Sequence, residues 1–447
     1  MKNVFKITIL ALFLFGCSSA PNQQTVYPME HLPKDTGLQP LPQYQYRQVI
    51  KSYPEPKTLE YEQRQFKVFS RFPETKIALL VPLSGKYAQL GKNIQDAAQL
   101  ALFSVNEPNF ELLPIDTKGT SYGALAAANT AIKQGADLIL GPVFSSSASA
   151  IAQVARENNV SIISFSNDKS LAGTGVFAMG FRPEQQISRI VEFAMDQGIE
   201  DFTTIISNNN YGAVVAKELR ETVAKNNQAS VLKTQIFQTN SRGAPVKLKS
   251  HVWAAFEGIM NNKPPKDYDK ELKAFNYNPI RFPRAMLIPE GGNTLEQISA
   301  LLKKYKHNPS MVQLLGSEQW YNEKALNNPV LEGAWFASPP KERRERFNQR
   351  FEETYAYKPI KISSLAYDGI ALAAAIIRIT GNNEFSKEDI KNPRGFFGVD
   401  GIFRFSEDGL TERGLAIIRI KDGQFETIAP APNNFVDVHE NEETIEE

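Results

Sequence analysis

From residue 76 onward, short apolar runs alternate with stretches in which apolar residues recur every three or four positions. Residues 76–81 (Lys-Ile-Ala-Leu-Leu-Val) are almost wholly apolar, as expected for a strand buried on both faces. The turn at 82–85 follows, and Ile94, Ala97, Ala98 and Ala101 then mark one face of a helix. Residues 110–115 predict a second strand, and Leu125, Ala128 and Ile132 a second helix. A strand at 137–140, an Ala/Ser-rich helix and a strand at 160–164 complete the first series. A second series starts at 202–206, with a helix from about Val214 and strands at 231–237, 285–288, 312–315 and 334–337. A helix near 363–377 follows, and residues 401–405 and 415–420 predict a late β-hairpin. Repeated strand–helix units imply α/β architecture with parallel, doubly wound sheets and right-handed crossovers, and two such series followed by a returning helix suggest two Rossmann-like lobes.

The pattern before residue 75 is different. Residues 7–15 form an apolar run behind Lys2 and Lys6, too short for a bilayer span of about twenty residues and suited to an export signal. Residues 18–74 are rich in Pro, Gln and Tyr, with prolines at 21, 28, 33, 40, 42, 54 and 56. Such a chain favours extended, polyproline-like spacing, about 40 Å end to end if flexible and over roughly 100 Å if stretched. Phe66, Phe69 and Phe72 repeat at every third position and are expected to dock on the folded head. The tail from 431 to 447 ends in acids (Glu440, Glu442, Glu443, Glu446, Glu447), a solvated terminus.

Charge narrows the classes. Lys+Arg (50) and Asp+Glu (49) nearly cancel, so no basic field draws the chain to nucleic acid. The single cysteine, Cys17, excludes an intrachain disulfide. The four histidines, His31, His251, His307 and His439, lie far apart and read as surface residues with no metal-ligand spacing; neither metal nor cofactor is expected.

Leu14-Phe15-Gly16-Cys17 resembles the bacterial lipobox. The resemblance implies cleavage after residue 16, acylation of Cys17 and a practically permanent lipid anchor. Ser18 in place of Asp favours the outer over the inner membrane, facing the periplasm. Residues 135–147 and 159–166 resemble the type 1 periplasmic binding proteins of the leucine/isoleucine/valine-receptor group. Residues 83–91, 210–212, 316–318 and 366–369 extend that resemblance over 75–430. It implies lobe 1 at about 75–190 and 316–390, lobe 2 at about 191–315 and 391–430, and an insertion at 240–284 with one helix around 253–260.

In that family a ligand lies between the lobes, and its site residues fall here on Ser84, Ser145, Ser146, Ser166, Asn167, Asp168, Tyr211 and Glu318. The resemblance implies Ser145 for a ligand carboxylate, Tyr211 for an aromatic wall and Glu318 for an ammonium. The plain alternative is that Ser145–Ser147 only cap a helix. Leu90, Asp168 and the Pro289-Glu290 pair depart from the amino-acid receptors, so the ligand differs from leucine or the cleft is vestigial. Residues 287–292, 333–337 and 401–405, with the lipobox and spacer, resemble the alphaproteobacterial lipoproteins known as penicillin-binding protein activators.

No enzyme is expected. Ser166-Asn-Asp-Lys169 matches S-x-x-K, but no S-D-N or K-T-G accompanies it. Residues 85–92 miss the phosphate-loop spacing and put Asn93 where Ser/Thr belongs. Two functions remain: activation of a peptidoglycan-synthesising penicillin-binding protein, or delivery of an amino-acid-like solute to an ABC permease.

Overall fold

The computed structural model describes residues 74–105, 109–255, 283–309 and 311–435. Cys17, the tether with its three phenylalanines, and the acidic tail beyond 435 lie outside them, as do His31 and His439.

The first series runs β1 (Thr75–Val81), α1 (Ala88–Val105), β2 (Phe110–Asp116), α2 (Ser121–Lys133), β3 (Leu138–Leu140), α3 (Ser145–Glu157), β4 (Ser161–Ser164) and β5 (Val176–Ala178). These strands form a parallel sheet of order β2-β1-β3-β4-β5. β1 lies second from the edge with helices on both faces, which explains why Ile77 through Val81 are all fully buried. Ile94, Ala97, Ala98 and Ala101 of α1 are likewise buried, as their spacing required. In α2 the helix is present but its inward face is Ala124, Ala127, Ala128 and Ala131, while Leu125 is 37% exposed. Small alanines let α2 pack closely on its neighbours, and the larger residues point outward.

The chain then crosses to the second lobe through α4 (Pro183–Asp196), β6 (Asp201–Ser207), α5 (Asn210–Val223), β7 (Ser230–Phe237), α6 (Leu248–Ala255), β8 (Ala285–Leu287), α7 (Gly292–Lys304), β9 (Gln313–Gly316), α8 (Glu323–Leu326) and β10 (Trp335–Ser338). It returns to lobe 1 with α9 (Lys341–Tyr355), α10 (Ser363–Thr380), α11 (Lys387–Ile390) and the antiparallel strands β11 (Phe396–Gly398), β12 (Gly401–Phe405) and β13 (Thr411–Arg413). It ends in lobe 2 with β14 (Ala416–Lys421) and β15 (Gln424–Ala429). The lobe 2 sheet has order β15-β14-β10-β9-β8-β6-β7, antiparallel only at β14 and β15.

The sheets move the lobe boundaries from those expected. The chain changes lobe between β5 and α4, between β10 and α9, and between β13 and β14, rather than near 190, 316 and 390. α4 buries Ile187, Ile190, Val191 and Ala194 against β6 and α5 of lobe 2. Phe403 and Phe405 of β12 pack into the lobe 1 core. The expected hairpin of 401–405 with 415–420 does not form: β12 pairs with β11 and β13, while β14 pairs with β10 and β15. The insertion helix begins earlier than expected, at Leu248, and is described to Ala255. α10 is long and apolar enough to cross a membrane by composition, yet twelve of its residues are buried, in part against α1 and β1. His251 is 6% exposed beside Gln235, and burial lowers the pKa of His307 to about 4, so neither is the surface histidine expected.

Candidate functional site

Parallel sheets collect loops at the C-terminal ends of their strands, and the two lobes turn those ends toward each other. Between them lies a cavity of about 830 Å³, walled from lobe 1 by Phe144, Ser145, Phe165 to Lys169, Lys361, Ile362 and Leu365. Lobe 2 and the first crossover supply Phe181, Glu184, Asn210, Tyr211 and Val214.

Ser145 opens α3, but Phe144 is the N-cap and no side chain caps the helix. The Ser147 and Ala148 N–H groups donate to the Phe144 carbonyl (3.0 Å each). The serines are therefore not caps. The Ser145 hydroxyl instead lies beside the Asp168 carboxylate, which accepts from the Ser170 N–H at 2.9 Å. The Ser170 and Ser145 bonds hold the Asp168 carboxyl below its ordinary pKa. Ser166 is 6% exposed and its Oγ accepts from the Asp168 N–H at 3.2 Å. Asn167 Nδ2 donates to the Phe181 carbonyl at 3.0 Å, tying this loop to the first crossover. The approach is close: a Cβ on Gly180 would stand 2.5 Å from the Ser166 carbonyl oxygen.

Across the cleft, Asn209 caps α5 by accepting from the Gly212 N–H at 2.8 Å, which sets Tyr211 in the first turn facing the cavity. Burial raises the Tyr211 pKa. Its hydroxyl makes long contacts, 3.4 Å to the Pro289 carbonyl and to Ser317 Oγ. Pro289 and Glu290 are structural: Ser317 Oγ donates to the Pro289 carbonyl at 3.1 Å, and Glu290 Oε1 accepts from the Ser207 N–H at 2.7 Å. Leu90 packs against the lobe 1 core.

Three expected residues are placed differently. Ser146 is exposed and does not line the cavity. Ser84 is also outside it, its hydroxyl donating to Asp116 Oδ2 at 2.5 Å; burial pushes the Asp116 pKa up, but hydrogen bonds from Ser84, Lys118 and Leu83 outweigh it and the net shift is downward. Glu318 lines a second cavity of about 500 Å³ rather than the large one, and forms an ion pair with Lys361. Lys361 lines both cavities.

Several wall residues carried no motif. Lys169 of lobe 1 pairs with Glu184 of α4 at 2.9 Å, bridging the lobes; this engagement leaves Ser166 and Lys169 without the hydroxyl–amine arrangement that S-x-x-K chemistry needs. Phe181 lies in the first crossover with Lys361, Arg413 and Arg344 at 4.8, 4.9 and 5.6 Å from its ring centroid. Pro183 and Glu184 in the first turn of α4 form a helix-start signature that would have located Glu184. Among the described residues, no group of three or more His, Cys, Asp or Glu side chains is placed to hold a metal ion.

Behind Phe181 sits a buried charge cluster. Asp368 and Asp400 are fully buried and Arg413 is 7% exposed. Arg344 pairs with Asp400, Ser364 Oγ donates to Asp400 at 2.6 Å, and Asp368 accepts from the Val399 N–H at 2.6 Å. Arg413 lies 4.0 Å from Asp368 and donates to the Met179 carbonyl at 3.1 Å, so it joins the third crossover to the first.

The comparisons agree with this architecture. A sequence model described as "Periplasmic binding protein" matches residues 74–244. An uncharacterized protein of Rickettsia prowazekii (strain Madrid E) is 23% identical over 362 residues, 79% of this chain and 89% of the relative. A Rhodospirillum rubrum structure named for branched-chain amino acid ABC transport superposes with TM-score 0.64 at 17% identity, covering 79% of this chain and 99% of that one. An ABC transporter substrate-binding protein from Sphaerobacter thermophilus gives 0.58 at 15% identity, covering 81% and 99%. A solute-binding protein of Rhodopseudomonas palustris BisB5, in complex with 3,4-dihydroxybenzoic acid, gives 0.53 at 18% identity, covering 81% and 98%. The two lobes, their parallel sheets and the three crossovers are thus those of the type 1 periplasmic binding proteins, with the family's sequence model matched over residues 74–244.

Proposed function

We propose that this is a non-enzymatic, lipid-anchored, periplasm-facing protein that stimulates a peptidoglycan-synthesising penicillin-binding protein, with the binding-protein fold serving as a contact scaffold. One observation carries the reading: the chain's own ion pairs, Lys169–Glu184 and Lys361–Glu318, tie lobe 1 to lobe 2 across the cleft. A receptor that captures and releases a solute uses the ligand to hold its lobes together; here side chains do so. The resemblance of residues 287–292, 333–337 and 401–405 to penicillin-binding protein activators supports the partner class, and the proline-rich spacer supports reach through the envelope. Affinity capture from a detergent-solubilised envelope extract should recover a peptidoglycan synthase, and adding the purified protein should raise that enzyme's glycan-polymerising rate. Recovery of no synthase, or an unchanged rate, overturns the proposal.

The second reading, a solute receptor for an ABC importer, is favoured by the 830 Å³ interlobe cavity and by the named activities of the structures that share the fold. Calorimetry against amino acids would support it through micromolar binding abolished by both Ser145→Ala and Glu318→Ala.

A further inference from the structure

Glu318 lines the smaller of the two cavities that share Lys361, and its charge is already matched. Its side chain is 9% exposed, its carboxylate pairs with Lys361, and its N–H donates to Gln186 Oε1 at 3.0 Å. A carboxylate buried to this extent requires a cation within reach, and the opposite lobe supplies it. Lys361 is held by two contacts, this ion pair and the Phe181 ring at 4.8 Å. The other wall repeats the arrangement with reversed sign: Asp168 lies beside Ser145 at the start of α3, the end of a helix that attracts anions, and both line the large cavity. An α-amino acid brings one ammonium and one carboxylate. Each would meet a counter-group already engaged by a side chain of its own sign.

We propose that Lys361 is a specificity-determining residue: its ammonium occupies the Glu318 carboxylate and keeps the ammonium groups of entering ligands off it. A tethered ammonium has a local concentration that a free one in solution does not reach, so an entering amine competes at a disadvantage. The exclusion works by occupancy rather than by a clash. Removing Lys361 leaves the Glu318 carboxylate without its ion-pair partner and turns a cation-rejecting wall into a cation-seeking one. This inference deepens the reading of the cleft as held by its own charges, and the identity of the envelope partner does not enter it.

The test is calorimetry on the full chain with n-butylammonium chloride and L-leucine as probes. The parent protein should bind neither measurably. Lys361→Met should bind n-butylammonium at least tenfold more tightly than the detection limit that bounds the parent, and Lys361→Met/Glu318→Gln should return to the parent level. Equal affinity in the parent and Lys361→Met overturns the inference, as does binding that survives in the double variant. Lys361→Gln, which keeps length and polarity without charge, gives the same readout should the methionine variant unfold. Failure here leaves the synthase capture experiment untouched, and failure of that capture leaves this one untouched.

Discussion

Asp368 and Asp400 sit without exposure behind the cleft, and their stability depends on two arginines from different parts of the chain. Arg413→Met removes one of those cations and should cost about 3–5 kcal/mol, the usual consequence of stranding a buried charge, measured by urea unfolding at pH 7.5. Burial, with Asp400 beside it, pushes the Asp368 carboxyl up to about 7 from an ordinary 3.8. Between those values the folded protein binds the proton more tightly than the unfolded chain. The Asp368 contribution is therefore fully present below the lower value and is lost as pH rises toward 7. His307 acts oppositely: burial lowers it to about 4 from 6.5, so its contribution is lost as pH falls through that window. Stability profiles from pH 4 to 8 should show Asp368→Asn removing the decline toward neutral pH and His307→Gln removing the loss on acidification. Profiles parallel to the parent would contradict both assignments. At this scale the sequence was partly legible. The loop around Ser145, Ser166, Asn167 and Asp168 could be placed because its serines and acid follow strand ends. Lys361 and Phe181 could not, because a lone lysine or phenylalanine in a connecting segment carries no periodicity and acquires meaning only when the other lobe arrives.

Among the elements, α1 shows how packing fixes a position that composition leaves open. Gly91 opens onto the turn after β1, where an added Cβ would lie 1.9 Å from the Pro82 carbonyl oxygen. Gly91→Ala should lower the melting temperature by several degrees, equivalent to at least about 1–3 kcal/mol for forced overpacking; an unchanged melt would show that the turn can yield. α9 was invisible to the apolar pattern because two of its fifteen residues, Phe347 and Phe351, are buried, in a cluster with Ala97, Leu100 and Val399. Truncating Phe351 to Ala should cost about 3–5 kcal/mol and loosen α9 from lobe 1, seen as faster amide exchange over residues 341–355. The late strands were misread for a different reason. Residues 401–405 and 415–420 are both good strands close in sequence, and adjacency suggested a hairpin. Their inward faces belong to different cores, Phe403 and Phe405 to lobe 1 and Ile418 and Ile420 to lobe 2, so the intervening segment became a crossover.

For the whole molecule, the doubly wound class was legible because buried parallel strands read as continuous apolar runs, whereas lobe membership was not, since both lobes use the same kind of strand. The two bridging pairs set the expectation for lobe motion. Their lysines are 45% and 46% exposed, so solvent and salt screen them appreciably. Small-angle scattering of Lys169→Met/Lys361→Met should show a larger radius of gyration than the parent, and raising salt should move the parent in the same direction. No change in either would assign lobe closure to the buried charge cluster of Asp368, Asp400 and Arg413.

Three passages between lobes also constrain how the chain can be made. Lobe 1 needs Leu365, Ile370 and Phe403 to close its interior, and lobe 2 needs Ile418. A growing polypeptide that has emerged only as far as β10 therefore owns two unfinished halves, each exposing apolar strands that await a distant segment. Folding should therefore complete only when nearly the full length has appeared, and fragments cut at any single lobe boundary should aggregate rather than fold.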